Sequence, residues 1–255
     1  MDVPTTCQQA VTLARWARDS CKNLTTIYIT HGHADHWFGV SALLDRFPNA
    51  KVAPGTVKVM HEEVGPRRAK IWNAFFPGQI PNQLVIAEEL EDNAIELEGE
   101  ELRAVELGHT DWRETTCLYV PSIGLAVAGD AAFNGTHMFL GASSTPQKRK
   151  EWISALNKIE SLNPRAVIAG HKRPGTDDNP RIIEETRQYI RDFDKLAESS
   201  KTARELYDQM IKLHPDGSNP HILWLGALAV KGEGSPPSGS NGTSGWQSGT
   251  LAPSS

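Results

Sequence analysis

Apolar residues along this chain recur with two periods, and the two periods alternate. Ala10, Val11, Ala14, Ala17 and Cys21 repeat at helical spacing, so a one-faced helix is expected from about Thr6. "LTTIYIT" then reads as a strand, and "GVSALLDRF" returns to a helical pattern. Residues 54–76 read as helical pieces broken near Gly65-Pro66. Short strand patterns follow in "LVIAEEL", "AIELEG", "ELRAVELG", "TTCLYV" and "GLAVAG". Thr145-Pro146 forms an N-cap and first-turn pair for a helix that buries Trp152, Ile153, Leu156 and Ile159. "AVIAG" reads as a buried strand. Asn179-Pro180 opens a helix with Ile182, Ile183, Tyr189, Ile190 and Phe193 inward, and two more helices are expected near 201–213 and 220–230. The mixture predicts an α/β (α+β) domain in which helices pack on sheet.

From Gly232 the pattern stops. "GEGSPPSGSNGTSGWQSGTLAPSS" buries too little apolar surface to offset its ordering entropy. One domain over residues 1–230 and a disordered Gly/Ser/Pro-rich tail over 231–255 are therefore expected. Hydrophobic content of 39% in 255 residues supports a sizeable core. A net charge of −5 argues against a nucleic-acid partner. Cys7, Cys21 and Cys117 form neither a CxxC pair nor an even framework, which points to a reducing compartment. No apolar leader follows Met1 and no run reaches membrane-spanning length, so a cytoplasmic protein without membrane association is expected.

The chemistry begins at "IYITHGHADHWFGV". An apolar strand ends, and His31, His33, Asp35 and His36 follow within six positions. His31 and His33 are two apart and share a direction on extended chain, whereas Asp35 and His36 lie further on, in a loop entering a helix. The loop can thus serve two points in space. Later strand ends add His109 in "VELGHTD", Asp130 in "GLAVAGDAAF" and His171 in "AVIAGHKRPG", each behind a glycine. Imidazole and carboxylate together suit zinc, and also iron or manganese.

The ordered run His31-Gly32-His33-Ala34-Asp35-His36, Gly108-His109-Thr110, Gly129-Asp130 and Gly170-His171 resembles the metallo-β-lactamase superfamily, over about residues 2–175. It is most similar to glyoxalase II and lactonase-like hydrolases, which place a metal-bridging aspartate at the position of Asp130. The resemblance implies a four-layer αββα sandwich and two divalent metal ions, with zinc expected first. It implies that His31, His33 and His109 hold the first, that Asp35, His36 and His171 hold the second, and that Asp130 bridges them. The implied activity is hydrolysis of an activated carbonyl (lactone, ester, thioester or lactam) in a small-molecule substrate by a metal-bridging hydroxide. Asp35 would act as catalytic proton shuttle. Alternatives are a mononuclear iron persulfide dioxygenase, or an inactive metal-binding protein that acts through interaction.

Three departures refine this. Diiron flavoproteins of the superfamily carry Glu where this chain has His33. Acyl-homoserine lactonases carry Tyr where it has Phe133, which lacks the hydroxyl. Asp2-Val3-Pro4 resembles a turn that in relatives follows several strands, roughly 40 residues that do not precede it here. The first sheet is therefore expected to be short. Trp37-Phe38 and the aromatics of 71–81 either wall the pocket or pack in the core.

Overall fold

A computed structural model describes residues 2–54, 57–65, 71–87 and 93–233. Its layering follows from one short strand. Successive side chains of β1 (Thr26–Ile29) point to opposite faces. Ile27 and Ile29 enter a core with Ala10 and Ala14 of α1 (Cys7–Asp19) and Val40 and Leu43 of α2 (Val40–Leu44). Tyr28 points the other way, against Leu118, Ile95, Leu102, Ala104 and Val127 of a second sheet. β1 pairs in parallel with β2 (Lys51–Pro54), and the helical segments α3 (Val57–Glu63) and α4 (Asn73–Phe75) follow.

The second sheet runs in order through β3 (Ala94–Leu97), β4 (Glu100–Gly108), β5 (Thr115–Val120), β6 (Leu125–Asn134) and β7 (Ala166–Lys172). Pairing is antiparallel up to β6 and parallel between β6 and β7, a change that requires a crossover. α5 (Pro146–Ser161) supplies it, with the Thr145 hydroxyl accepting the Lys148 N–H as expected. α6 (Ile182–Ser199), α7 (Ala203–Leu213) and α8 (Pro220–Lys231) complete the outer layer around Trp152, Leu156, Ile190, Phe193, Leu206 and Leu223. The order helix, sheet, sheet, helix is the αββα sandwich.

Several expectations change. The buried stripe of α1 is narrower than its periodicity suggests: Val11 and Cys21 are exposed, because only Ala10 and Ala14 press fully against α2 and β1. In "LVIAEEL", residues 84–87 join no ladder. Leu84, Val85 and Ile86 lie partly buried against the first core instead, which covers apolar surface without strand pairing; residues 88–90 are outside the described residues. β6 and β7 run further than their apolar patterns, so Asp130 and His171 sit within strands rather than after them. Trp37 and Phe38 are fully buried, the Trp37 indole N–H donating to Gly32 O at 3.0 Å, and Phe38 meets Trp72. Phe75 is exposed. The break expected near Gly65-Pro66 and the tail from 234 onward lie outside the described residues.

Trp152 has no exposed surface, and its indole N–H donates to Ala131 O beside Asp130. Trp152→Ala is expected to cost about 3–5 kcal/mol, read from urea unfolding. A loss below about 1 kcal/mol would show that this core collapses around the cavity.

Candidate metal centre

The centre forms where β1 ends between β5 and β6. Thr30 O accepts two donors from Thr116, its N–H at 3.0 Å and its hydroxyl at 2.7 Å, which locks the first sheet onto the second. Asp2 holds the same point from the other side. Its Oδ1 accepts the Thr30 N–H at 2.8 Å, and its Oδ2 accepts the Thr30 hydroxyl at 2.8 Å and His36 Nδ1 at 3.0 Å. The His36 proton is thereby fixed on Nδ1, and Nε2 is left facing inward. Since the Thr30 proton goes to Asp2, His31 Nδ1, 3.1 Å from that hydroxyl, is the donor there, and its Nε2 lone pair also faces inward.

Three groups of ligand atoms result, each within 4.8 Å: His31, His33 and Asp111; His31, His36 and Asp130; and Asp35, His36 and His171. Asp111 Oδ2 lies 2.7 Å from His33 Nδ1 and 3.5 Å from His31 Nε2. Asp130 lies 3.3 Å from His36 Nε2 through one oxygen and 3.3 Å from His171 Nε2 through the other. His171 Nε2 is also 3.3 Å from Asp35 Oδ2. Close packing at Asp130 depends on Gly170, where an added Cβ would fall 2.0 Å from the Asp130 Oδ1. Gly129, at φ +53°, turns the chain just before it.

Six of the seven residues named from sequence thus come together. His109 does not: its Nε2 lies 2.8 Å from Ser143 Oγ. The Ser143 proton is committed to Thr110 O at 2.6 Å, so His109 Nε2 is the donor in this pair and presents no lone pair there. Asp111 and Asp2 are the residues that sequence reasoning passed over, the first as a candidate ligand and the second as an orienting group. The signal for Asp111 was its place two residues after His109, inside the same strand-end segment.

Charge explains the protonation pattern. Burial alone would lower the His36 pKa, but Asp130, Asp35 and Asp2 together hold it well above the ordinary value. Asp130 foremost raises His171 to about 10. Burial works against ionising Asp111 and Asp130, yet the facing imidazoles hold both far below the usual carboxylate range. His109 moves the other way, lowered by burial and by Lys148. Even so, His36 Nε2 and Asp130 Oδ1 remain buried without a hydrogen-bond partner. An N/O donor set without thiolate, carrying orphaned atoms that face each other, fits a divalent cation.

The sequence matches the description of the metallo-β-lactamase superfamily over residues 5–171, and the chain belongs to that superfamily. Its fold is shared with a metallo-β-lactamase family protein from Thermus thermophilus, at TM-score 0.60 and 20% identity, covering 90% of this chain and 81% of that one. A β-lactamase domain protein from Burkholderia ambifaria aligns at TM-score 0.60 and 14% identity, over 90% and 75% of the two chains. A metallo-β-lactamase from Hirschia baltica aligns at 0.52 and 18%, over 74% and 78%. No curated protein matches the chain in sequence. Among the described residues no helix is long and apolar enough to cross a membrane.

Two outcomes are expected of this geometry. Asp2→Ala frees the His36 ring, and cation affinity should fall about 10–100-fold in a chelator competition; unchanged affinity would remove Asp2 from its orienting role. In cation-free protein, His171 contributes stability that is complete below its ordinary pKa of 6.5 and lost as pH rises through about 10. The depressed aspartates contribute above 3.8 and lose it on acidification. Chelated protein should therefore melt at its highest temperature between 3.8 and 6.5 and at falling temperatures towards pH 10. A melting temperature that rises over the alkaline range would contradict the imidazolium–carboxylate pairing.

Proposed function

We propose that the chain is a metal-dependent hydrolase of small molecules carrying an activated carbonyl: a lactone, ester, thioester or lactam. The observation that carries this is the chain of three ligand groups joined through His31 and His36. His31 and His33 would hold one divalent cation, Asp35, His36 and His171 the other, and Asp130 would lie between them. Such cations, zinc foremost, lower the pKa of a water towards neutrality and polarise a carbonyl.

The residues around that chemistry divide by exposure. His31, His36, Asp111 and Asp130 are buried, whereas the side chains of Asp35 and His171 are 32% and 41% exposed. Substrate would enter on the Asp35–His171 side. Asp35 is ionised at neutral pH, because His36 and His171 outweigh the effect of its burial. It can take a proton from an attacking water and return it to the leaving group, a transfer that needs hydrogen-bond reach. Asp2 holds His36 in one tautomer throughout, as second partners of ligand histidines do.

Elemental analysis of protein purified without added metal is expected to find about two divalent ions per chain. Asp130→Ala and His33→Ala are each expected to abolish turnover of an ester and lactone panel while leaving the circular dichroism intact; full activity in either would sink the two-metal reading. At the remaining corner of the first position, Asp111→Ala should lower metal content, and His109→Ala should lower it less. The reverse order would return that corner to His109. One iron per chain, with oxygen uptake on glutathione persulfide, would favour the oxygenase instead.

A further inference from the structure

On the sealed side of the centre the candidate ligands His31 and His36 each have a second ring nitrogen tied. His31 Nδ1 meets the Thr30 hydroxyl at 3.1 Å, and His36 Nδ1 donates to Asp2 at 3.0 Å. Such partners fix the ring plane of a ligand imidazole. His171 is different. Its Nε2 faces Asp35 and Asp130, each at 3.3 Å, and among the described residues its Nδ1 makes no hydrogen bond. It is also the most exposed of the candidate ligands. No bond at Nδ1 therefore sets the plane of this ring.

Phe133 lies against it instead. The two rings stack with centroids 5.7 Å apart and planes 25° apart, while the His36 ring meets the same imidazole edge-on at 5.5 Å. The stack exists because of an irregularity in the sheet. Gly129 pairs with Ala169, and the next registered pair is Phe133 with His171. The stretch Asp130 to Ala132 of β6 thus opposes Gly170 alone. A bulge of this kind re-aims a side chain, here Asp130, and it returns Phe133 to the ladder beside His171. Phe133 is itself held from α6. Its main-chain N–H donates to the Thr186 hydroxyl at 3.0 Å, and its carbonyl accepts that hydroxyl at 3.2 Å. Trp152 flanks the ring at 6.2 Å. Phe133 and Thr186 are both buried, so packing and not solvent surrounds the clamp.

We propose that Phe133 is a positioning residue for the second cation: its ring holds the His171 imidazole in the plane that aims Nε2 at Asp35 and Asp130, and Thr186 holds Phe133. The inference rests on the two-cation reading above. It gives an aromatic ring the task that Asp2 performs for His36. The stack does so without fixing a tautomer, since a phenyl ring carries no proton to donate and no nitrogen or oxygen to accept one.

The test uses the full chain in two states. In chelated protein, carbon-13 relaxation of the His171 ring should report a rigid imidazole in wild type and in Phe133→Tyr, and a mobile one in Phe133→Leu. In protein titrated with zinc against a chelator, Phe133→Leu should weaken one of the two ions by about two- to twelvefold, the worth of an aromatic pair, and leave the other unchanged. Phe133→Tyr should keep both. Thr186→Val should move both readouts in the direction of Phe133→Leu; no change there would remove Thr186 from the clamp. Leu206→Ala opens a cavity in the same core from α7 and controls for lost stability. It should lower the melting temperature and alter neither readout. Equal ring mobility in wild type and Phe133→Leu would overturn the proposal. So would an equal loss of both ions, or the same ring mobility in Leu206→Ala. If ring mobility depends on Phe133 but wild type retains no zinc, the positioning role stands and the two-cation reading fails.

Discussion

Asp2, Asp111 and Asp130 lie in or against the protein interior, and a buried carboxylate stays ionised only beside positive charge or directed donors. His33, His36 and His171 are the groups arranged to meet that requirement, at 2.7–3.3 Å from one carboxylate or another. This one constraint draws in most of the architecture. The imidazoles come from the end of β1 and the strand β7, the carboxylates from the N-terminal turn, the β4–β5 connection and β6.

The two sheets therefore have to meet at a defined register. Tyr28 crosses between them, its hydroxyl 2.6 Å from that of Thr116, while Thr116 also bonds the carbonyl of Thr30. Asp2 closes the arrangement by taking both donors of Thr30 and the imidazole of His36. Stability and site geometry are thus the same set of bonds near Thr30. The first sheet, two strands among the described residues, is held at this end by side-chain bonds to the second sheet, and the aromatic core of Trp37, Phe38 and Trp72 packs beside it.

The site is also lopsided. One side is sealed and rich in buried charge, and the other opens at Asp35 and His171. Chemistry can be common to a superfamily while the open side selects the substrate. Phe133 borders that open side, its ring stacked on the imidazole of the candidate ligand His171.

Much of this was legible in the chain. Periodicity placed α1, α5, α6, α7 and α8 close to their positions, because each buries a face whose spacing repeats over several turns. The His-x-His-x-Asp-His run marked the centre, because so many ligating side chains in six residues have few structural uses. What the sequence left open depends on contacts between distant segments. "LVIAEEL" had a strand's composition but no partner strand for residues 84–87, and β6 outran its apolar pattern because β7 paired with it as far as Asn134. His109 and Asp111 are two residues apart and equally able to bind a cation, so local order could not choose between them. Ser143, 34 residues from His109 along the chain, engages the histidine, and His33 faces the aspartate. The sequence by itself determined which side chains could do the chemistry; tertiary structure decided which of them share a point in space, because burial and hydrogen bonding are settled by neighbours that the chain order does not place side by side.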